Sequence, residues 1–169
     1  MENNLQVEIE MILKELYSFS NKILFLGNKI TDKRLELFEK KISFDLPLEF
    51  KLVLKRHNGF SLAGTAVVGI GEEFKEASLD KLYDFEHLEV GNKMPREFLP
   101  FSPDGRGNHY CLDLSKNNGN TCPVVFWQWD YDYKNKDEIE TSNLSFLDWV
   151  REVMIEWTLD VYDYEGNEL

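Results

Sequence analysis

A chain of 169 residues, 43% hydrophobic and 14% aromatic, has the size and composition of one folded domain, which excludes wholesale disorder. With 31 acidic against 19 basic residues the net charge is −12, a field that repels nucleic acid and anionic membranes. Residues 130–169 carry 12 acidic and 3 basic side chains, so the last quarter is either a solubilising face or a docking surface for a basic partner.

Leu5, Ile9, Ile12, Leu13 and Leu16 recur at helical spacing and predict an amphipathic helix over 3–18, as either an arm or part of the core. After Gly27 and Asn28, a second helix is predicted from Asp32 to about Ile42, capped by Thr31 or Asp32, with Leu35, Phe38 and Ile42 on one face. A third starts near Pro47, aligns Phe50, Val53, Leu54 and His57, and stops at Asn58-Gly59. A short strand in TAVVGIG and a helix in SLDKLYDFEHL capped by Ser78 come next.

Phe98–Ser102 and Asn108–Leu114 flank Pro103-Asp104-Gly105-Arg106-Gly107, whose residue types suit a hairpin connection. A third strand, Val124 to about Asp130, completes an antiparallel meander. Leu144, Leu147, Val150, Met154 and Trp157 mark a final helix that covers the sheet. The fold class expected is α+β, an antiparallel sheet of four to six strands flanked by N-terminal and C-terminal helices.

No motif for chemistry stands out. His57, His87 and His109 lack a second His or Cys at the spacing that metal sites use, so no metal and no cofactor are expected. The Asp104–Asn108 stretch lacks the Gly-Lys-Ser/Thr of a phosphate loop and the spaced acids of a calcium loop. Asp104 and Asp113 are carboxylates without a sign of acid–base tuning, and no nucleophile motif is present, so no catalytic residue is assigned. Two cysteines, no apolar run of spanning length and a start, MENNLQVEIEM, without the basic and apolar regions of a signal peptide lead to the expectation of a reducing cytoplasm. There Cys111 and Cys122 are expected as buried free thiols rather than a cross-strand disulfide.

The most informative segment is VVFWQWDYDY. Strand alternation sets Val125, Trp127, Trp129, Tyr131 and Tyr133 on one side and Val124, Phe126, Gln128, Asp130 and Asp132 on the other. Val124 to Trp127 read as core. Trp129, Asp130, Tyr131, Asp132 and Tyr133 fit interface and core equally, since Trp and Tyr offer contact area at low entropic cost and Asp complements Lys and Arg. With Asp137, Glu138 and Glu140 they form the candidate partner-binding set.

Leu46–Gly59 (LPLEFKLVLKRHNG), Phe98–Leu114 (FLPFSPDGRGNHYCLDL) and Val124–Asp130 (VVFWQWD), in that order and followed by LSFLDWV, resemble the SUKH superfamily of Smi/Knr-like domains. The resemblance covers roughly residues 30–155 and divides the chain into a helical extension over 1–26, a SUKH-like domain over 27–158 and an acidic tail over 159–169. It implies a non-catalytic immunity protein that binds and neutralises a polymorphic toxin, many such toxins being nucleases. The superfamily's fungal members are instead regulatory, cell-wall-linked interaction proteins, so the alternative is a non-catalytic scaffold for an endogenous protein. Joined to the acidic charge, it makes the expected partner a basic toxin domain. A small-molecule site or enzyme in the cleft beside the hairpin is the reading of another class.

Overall fold

In the computed structural model, which describes residues 2–169, helix α1 (Glu2–Leu16) opens the chain. Ile9, Ile12, Leu13 and Leu16 fall on one side of it and are buried in the same apolar cluster as the helices and sheets that follow, so α1 is core and not an arm. Strand β1 (Leu24–Leu26) comes next, then helix α2 (Asp32–Ile42), where Thr31 Oγ1 accepts from the Arg34 amide at 3.3 Å. Helix α3 (Leu48–Arg56) begins directly after Pro47 and buries Phe50, Val53 and Leu54. His57 has left the helical face: its ring meets the Tyr17 hydroxyl at 2.7 Å and the Gly27 carbonyl at 3.0 Å, tying α3 to α1.

Strands β2 (Phe60–Leu62) and β3 (Thr65–Val67) join β1 in an antiparallel sheet of order β1-β2-β3. The buried Asn58 side chain then bonds both the amide and the carbonyl of Ile70, each at 2.8 Å, pairing with it as a neighbouring strand would. Helix α4 (Leu79–Asp84) is capped by Ser78 Oγ, which accepts from the Lys81 amide at 3.1 Å, and it widens into a π turn over Phe85–Glu89.

The second sheet is a four-stranded antiparallel meander of β4 (Phe98–Pro103), β5 (His109–Asp113), β6 (Val124–Trp127) and β7 (Glu140–Asn143). Pro100 is tolerated because β4 is an edge strand, and the register shifts across Phe101. The Val68 amide donates to the Phe101 carbonyl at 2.9 Å, joining the two sheets. One face presents Leu99, Phe101, Leu112 and Val124 to the main core, where Phe101 meets Phe50, Phe146 and Trp149 edge to face. The other face carries Phe98, Cys111, Val125 and Trp127, covered by Met94, Ile139 and Tyr133. Cys111 and Cys122 are free thiols in these two different clusters, and burial pushes both thiols up.

Helix α5 (Phe146–Trp149) widens into π turns over Val150–Glu156 and ends as α6 (Trp157–Leu159). Leu147, Val150 and Met154 are buried as the pattern predicts, whereas Leu144 and Trp157 are exposed. Leu144 precedes the capping Ser145, and the wider turns advance the phase of the helix before Trp157. Beyond α6 the chain returns to its start, with the Ser20 amide donating to the Tyr164 carbonyl at 2.7 Å and the rings of Phe19 and Tyr164 4.7 Å apart.

The extent of β6 is corrected as well. The strand read from Val124 to Asp130 stops at Trp127, because its partner β5 begins at His109, the residue that faces Trp127. Past that point there is no ladder to impose alternation, and the side chains beyond Trp127 follow loop geometry.

Candidate functional site

The sequence-predicted residues lie at the end of the second sheet where β4 turns into β5 and β6 leaves for β7. A core-facing aromatic starts the arrangement: Trp127 is buried, Tyr133 folds back on it with ring centroids 4.9 Å apart, and Tyr131 packs on Tyr133 at 4.6 Å. The Tyr133 hydroxyl accepts from the Gln128 amide at 3.1 Å and, chiefly through burial, titrates above an ordinary tyrosine. Tyr133 is thus the inward-facing member of the candidate set. Trp129 and Tyr131 remain 53% and 48% exposed, with Asp130 and Asp132 exposed beside them.

Three polar contacts hold this loop in place. Asn92 Nδ2 donates to the carbonyls of Trp129 and Tyr131 at 2.8 and 3.0 Å, and the Trp129 amide donates to Asn108 Oδ1 at 3.4 Å. Asn108 belongs to the hairpin turn, whose Asp104 carboxylate accepts from the Arg106 amide at 2.7 Å and from the Asn108 amide and side chain at 3.1 and 2.8 Å. Partial burial works against the charge of Asp104, but those hydrogen bonds outweigh it and hold the carboxyl below its ordinary range. Gly107, at φ +95°, completes the turn: a Cβ there would stand 2.6 Å from the Trp129 ring, so only glycine lets the indole lie over the hairpin.

Trp129, Asp130, Tyr131 and Asp132 line one shallow cavity with Gly91 and Asn92. Asp137 and Glu138 stand apart from it on an exposed turn, and Glu140 opens β7 opposite Phe126. Among the described residues none of Asp130, Asp132, Asp137, Glu138 and Glu140 belongs to an ion pair; Lys136 of the same loop instead reaches Glu97.

Sequence reasoning missed the neighbouring wall. The π turn after α4 directs Phe85 and Leu88 outward, 48% and 69% exposed, and Glu86 and His87 inward. Phe85 and Trp129 line a second cavity of about 360 Å³. The signal available in the sequence was Phe85 and Leu88 in the predicted helix, but only the widened turn determines that they face solvent.

The histidines make local contacts, although the buried Nδ1 of His109 has no hydrogen-bond partner among the described residues. His87 contacts the Tyr83 and Pro95 carbonyls at 2.7 and 3.0 Å, and His109 Nε2 lies 2.9 Å from Glu86 Oε1. Among the described residues no group of three or more His, Cys, Asp or Glu is placed to hold a metal ion. Nor is any described helix long and apolar enough to cross a membrane. Glu49 is a buried carboxyl far along the fold from the aromatic loop. Burial raises it to about 7, against the Thr121 hydroxyl and Phe146 amide that donate to its Oε1 at 2.6 and 2.8 Å, while Glu8 and Asp148 add to the rise.

The profile of the SMI1 / KNR4 family (SUKH-1) matches residues 29–152, well over half of the chain. That span takes in α2 and α3, strands β2 to β7 and the aromatic loop, and on this match the chain belongs to the SMI1 / KNR4 family (SUKH-1).

Proposed function

We propose that this protein is a non-catalytic immunity protein of the cytoplasm, which binds a basic toxin domain and neutralises it by covering its active site. The surface we assign to the task is Trp129, Asp130, Tyr131 and Asp132, with Tyr133 as its partly buried support and Asp137, Glu138 and Glu140 as an outer acidic rim. The observation that carries this reading is a pair of half-exposed aromatics braced in fixed positions by Asn92 and set among carboxylates that no cation of the described chain neutralises. Exposed aromatics held rigidly give contact area at little entropic cost, and the carboxylates supply complementarity to Lys and Arg. A nuclease fits best among toxins, because an active site that attracts phosphate also attracts a competing polyanion.

The test first looks beside the gene for one encoding a toxin domain and, where one is found, pairs the two proteins. Replacing Asp130, Asp132, Asp137, Glu138 and Glu140 together with Asn or Gln is expected to slow association and weaken protection of toxin-challenged cells. The melt should shift by no more than about 1 kcal/mol, since exposed charges contribute little to stability. The wild-type association rate should fall as the Debye length shrinks from about 30 Å at 0.01 M salt to about 8 Å at 0.15 M. A rate indifferent to salt removes the electrostatic part of the proposal. Unchanged protection by the fivefold variant moves the interface elsewhere, and specific binding to an endogenous protein with no neighbouring toxin favours the regulatory scaffold.

A further inference from the structure

The cavity beside the aromatic loop sets one carboxylate among aromatic and apolar neighbours. Phe85, Glu86, Val90, Gly91, Gly107 and Trp129 are among the residues that line it. Glu86 is only 4% exposed, and one of its oxygens is held by His109 Nε2 at 2.9 Å. Among the described residues the other carboxylate oxygen has no hydrogen-bond partner, and it is not one of the fully buried unpartnered atoms, so it is open to a donor entering the cavity. Among the described residues no lysine or arginine pairs with it, and His109 is the one side chain hydrogen-bonded to it.

We propose that this cavity is a socket for one arginine or lysine side chain of the protein partner. The apolar stem would lie between the Phe85 and Trp129 rings, which attract a cation through their faces, and the charged head would meet the free Glu86 oxygen. Charge complementarity and a volume of about 360 Å³ accommodate a long side chain ending in a cation. His109 acts as the positioning residue, fixing Glu86 from behind. The socket lies next to the acidic face and shares Trp129, Gly91 and Asn92 with it, so an inserted side chain would anchor the partner at the centre of the contact while the exposed carboxylates steer it.

The inference rests on reading this face as the partner surface, and its test is made independent of any toxin. Butylguanidinium and butylammonium serve as probes, with 1-butanol as the neutral control, and binding is followed by nuclear magnetic resonance of the Trp129 indole N–H and the Gly91 and Gly107 amides. The cations are expected to give saturable shifts at these three positions, with 1-butanol weaker by about tenfold or more. Glu86→Gln should abolish the difference between cation and alcohol. Should that variant fold poorly, Gly91→Phe supplies a second route, because a Cβ at Gly91 meets open space and the ring would plug the slot with Glu86 intact. Loss of the cation shifts in Gly91→Phe supports the socket. It is overturned by an absence of saturable shifts in the wild type, by equal responses to alcohol and cation, or by undiminished cation shifts in Gly91→Phe. None of those results touches the acidic-loop reading, which stands or falls on the salt response and the fivefold variant.

Discussion

Glu49 offers a test of the fold that depends on sign as well as size. It sits in the first turn of α3, only 2% exposed, where the loop before β6 and the start of α5 converge, and Thr121 and Phe146 both donate to its Oε1. Burial lifts its pKa from 4.5 to about 7. The folded chain therefore holds this proton more tightly than the unfolded chain. The stability attributable to the group is complete below pH 4.5 and is lost as pH rises through 7. At about 1.36 kcal/mol per pH unit, the full loss is on the order of 3 kcal/mol. Glu49→Gln keeps the oxygen that accepts both hydrogen bonds and removes the titration. Urea unfolding of wild type and variant at pH 4.5 and pH 8 isolates the effect, because every other ionisable group is common to both proteins. The variant should be close to wild type at pH 4.5 and more stable at pH 8 by up to about 3 kcal/mol, less what the weaker neutral hydrogen bonds give back. A difference between the two proteins that is the same at both pH values would refute the reasoning.

Trp127→Ala should cost about 3 to 5 kcal/mol in a chemical melt, since the indole is buried between Tyr133 and the second sheet; an unchanged midpoint would contradict its place in the core. Asn58→Ala should cost about 2 to 3 kcal/mol, because it leaves the Ile70 amide without its acceptor inside the protein. The check is again the unfolding midpoint, with a loss below about 0.5 kcal/mol counting against the pairing. Gly107→Ala should displace Trp129 from the hairpin, read as a red shift of tryptophan emission. An emission spectrum identical to wild type would show that the indole does not depend on that glycine.

Much of the scaffold was legible because its signals are local. Apolar spacing found α1, Thr31 and Ser78 announced α2 and α4, and Pro47 marked the start of α3, each through the backbone groups that a helix end leaves open. The hairpin between β4 and β5 was readable from its Asp-Gly turn. Strand β7 and the three-residue β1 were not, since segments so short take their form from the strands beside them. The overextended reading of β6 has the same origin: where a ladder ends depends on its partner, and nothing in WQWDYDY states that β5 begins at His109. The site was half visible. Trp129 to Asp132 stood out by composition, while Phe85 and Glu86 joined them through a π turn and the reach of Asn92, which are tertiary facts.

The meander also separates what stabilises the domain from what we assign to recognition. Its strands alternate in direction, so the loop between β5 and β6, which holds Thr121 against Glu49, lies at one end of the sheet. The β4–β5 turn and the β6–β7 loop, which hold Trp129, lie at the other. Glu49 bonds Thr121 and Phe146, whereas Trp129 and Tyr131 are held by Asn92, Asn108 and Gly107, and the two sets share no residue. Substitutions at sites without common partners add to within about 0.5 kcal/mol. Combining Glu49→Gln with the fivefold acidic-loop variant should therefore give the stability of the first and the association rate of the second. A coupled result, in which Glu49→Gln alone alters the partner's association rate at constant pH, would mean that the recognition end is not the independent module that this topology implies.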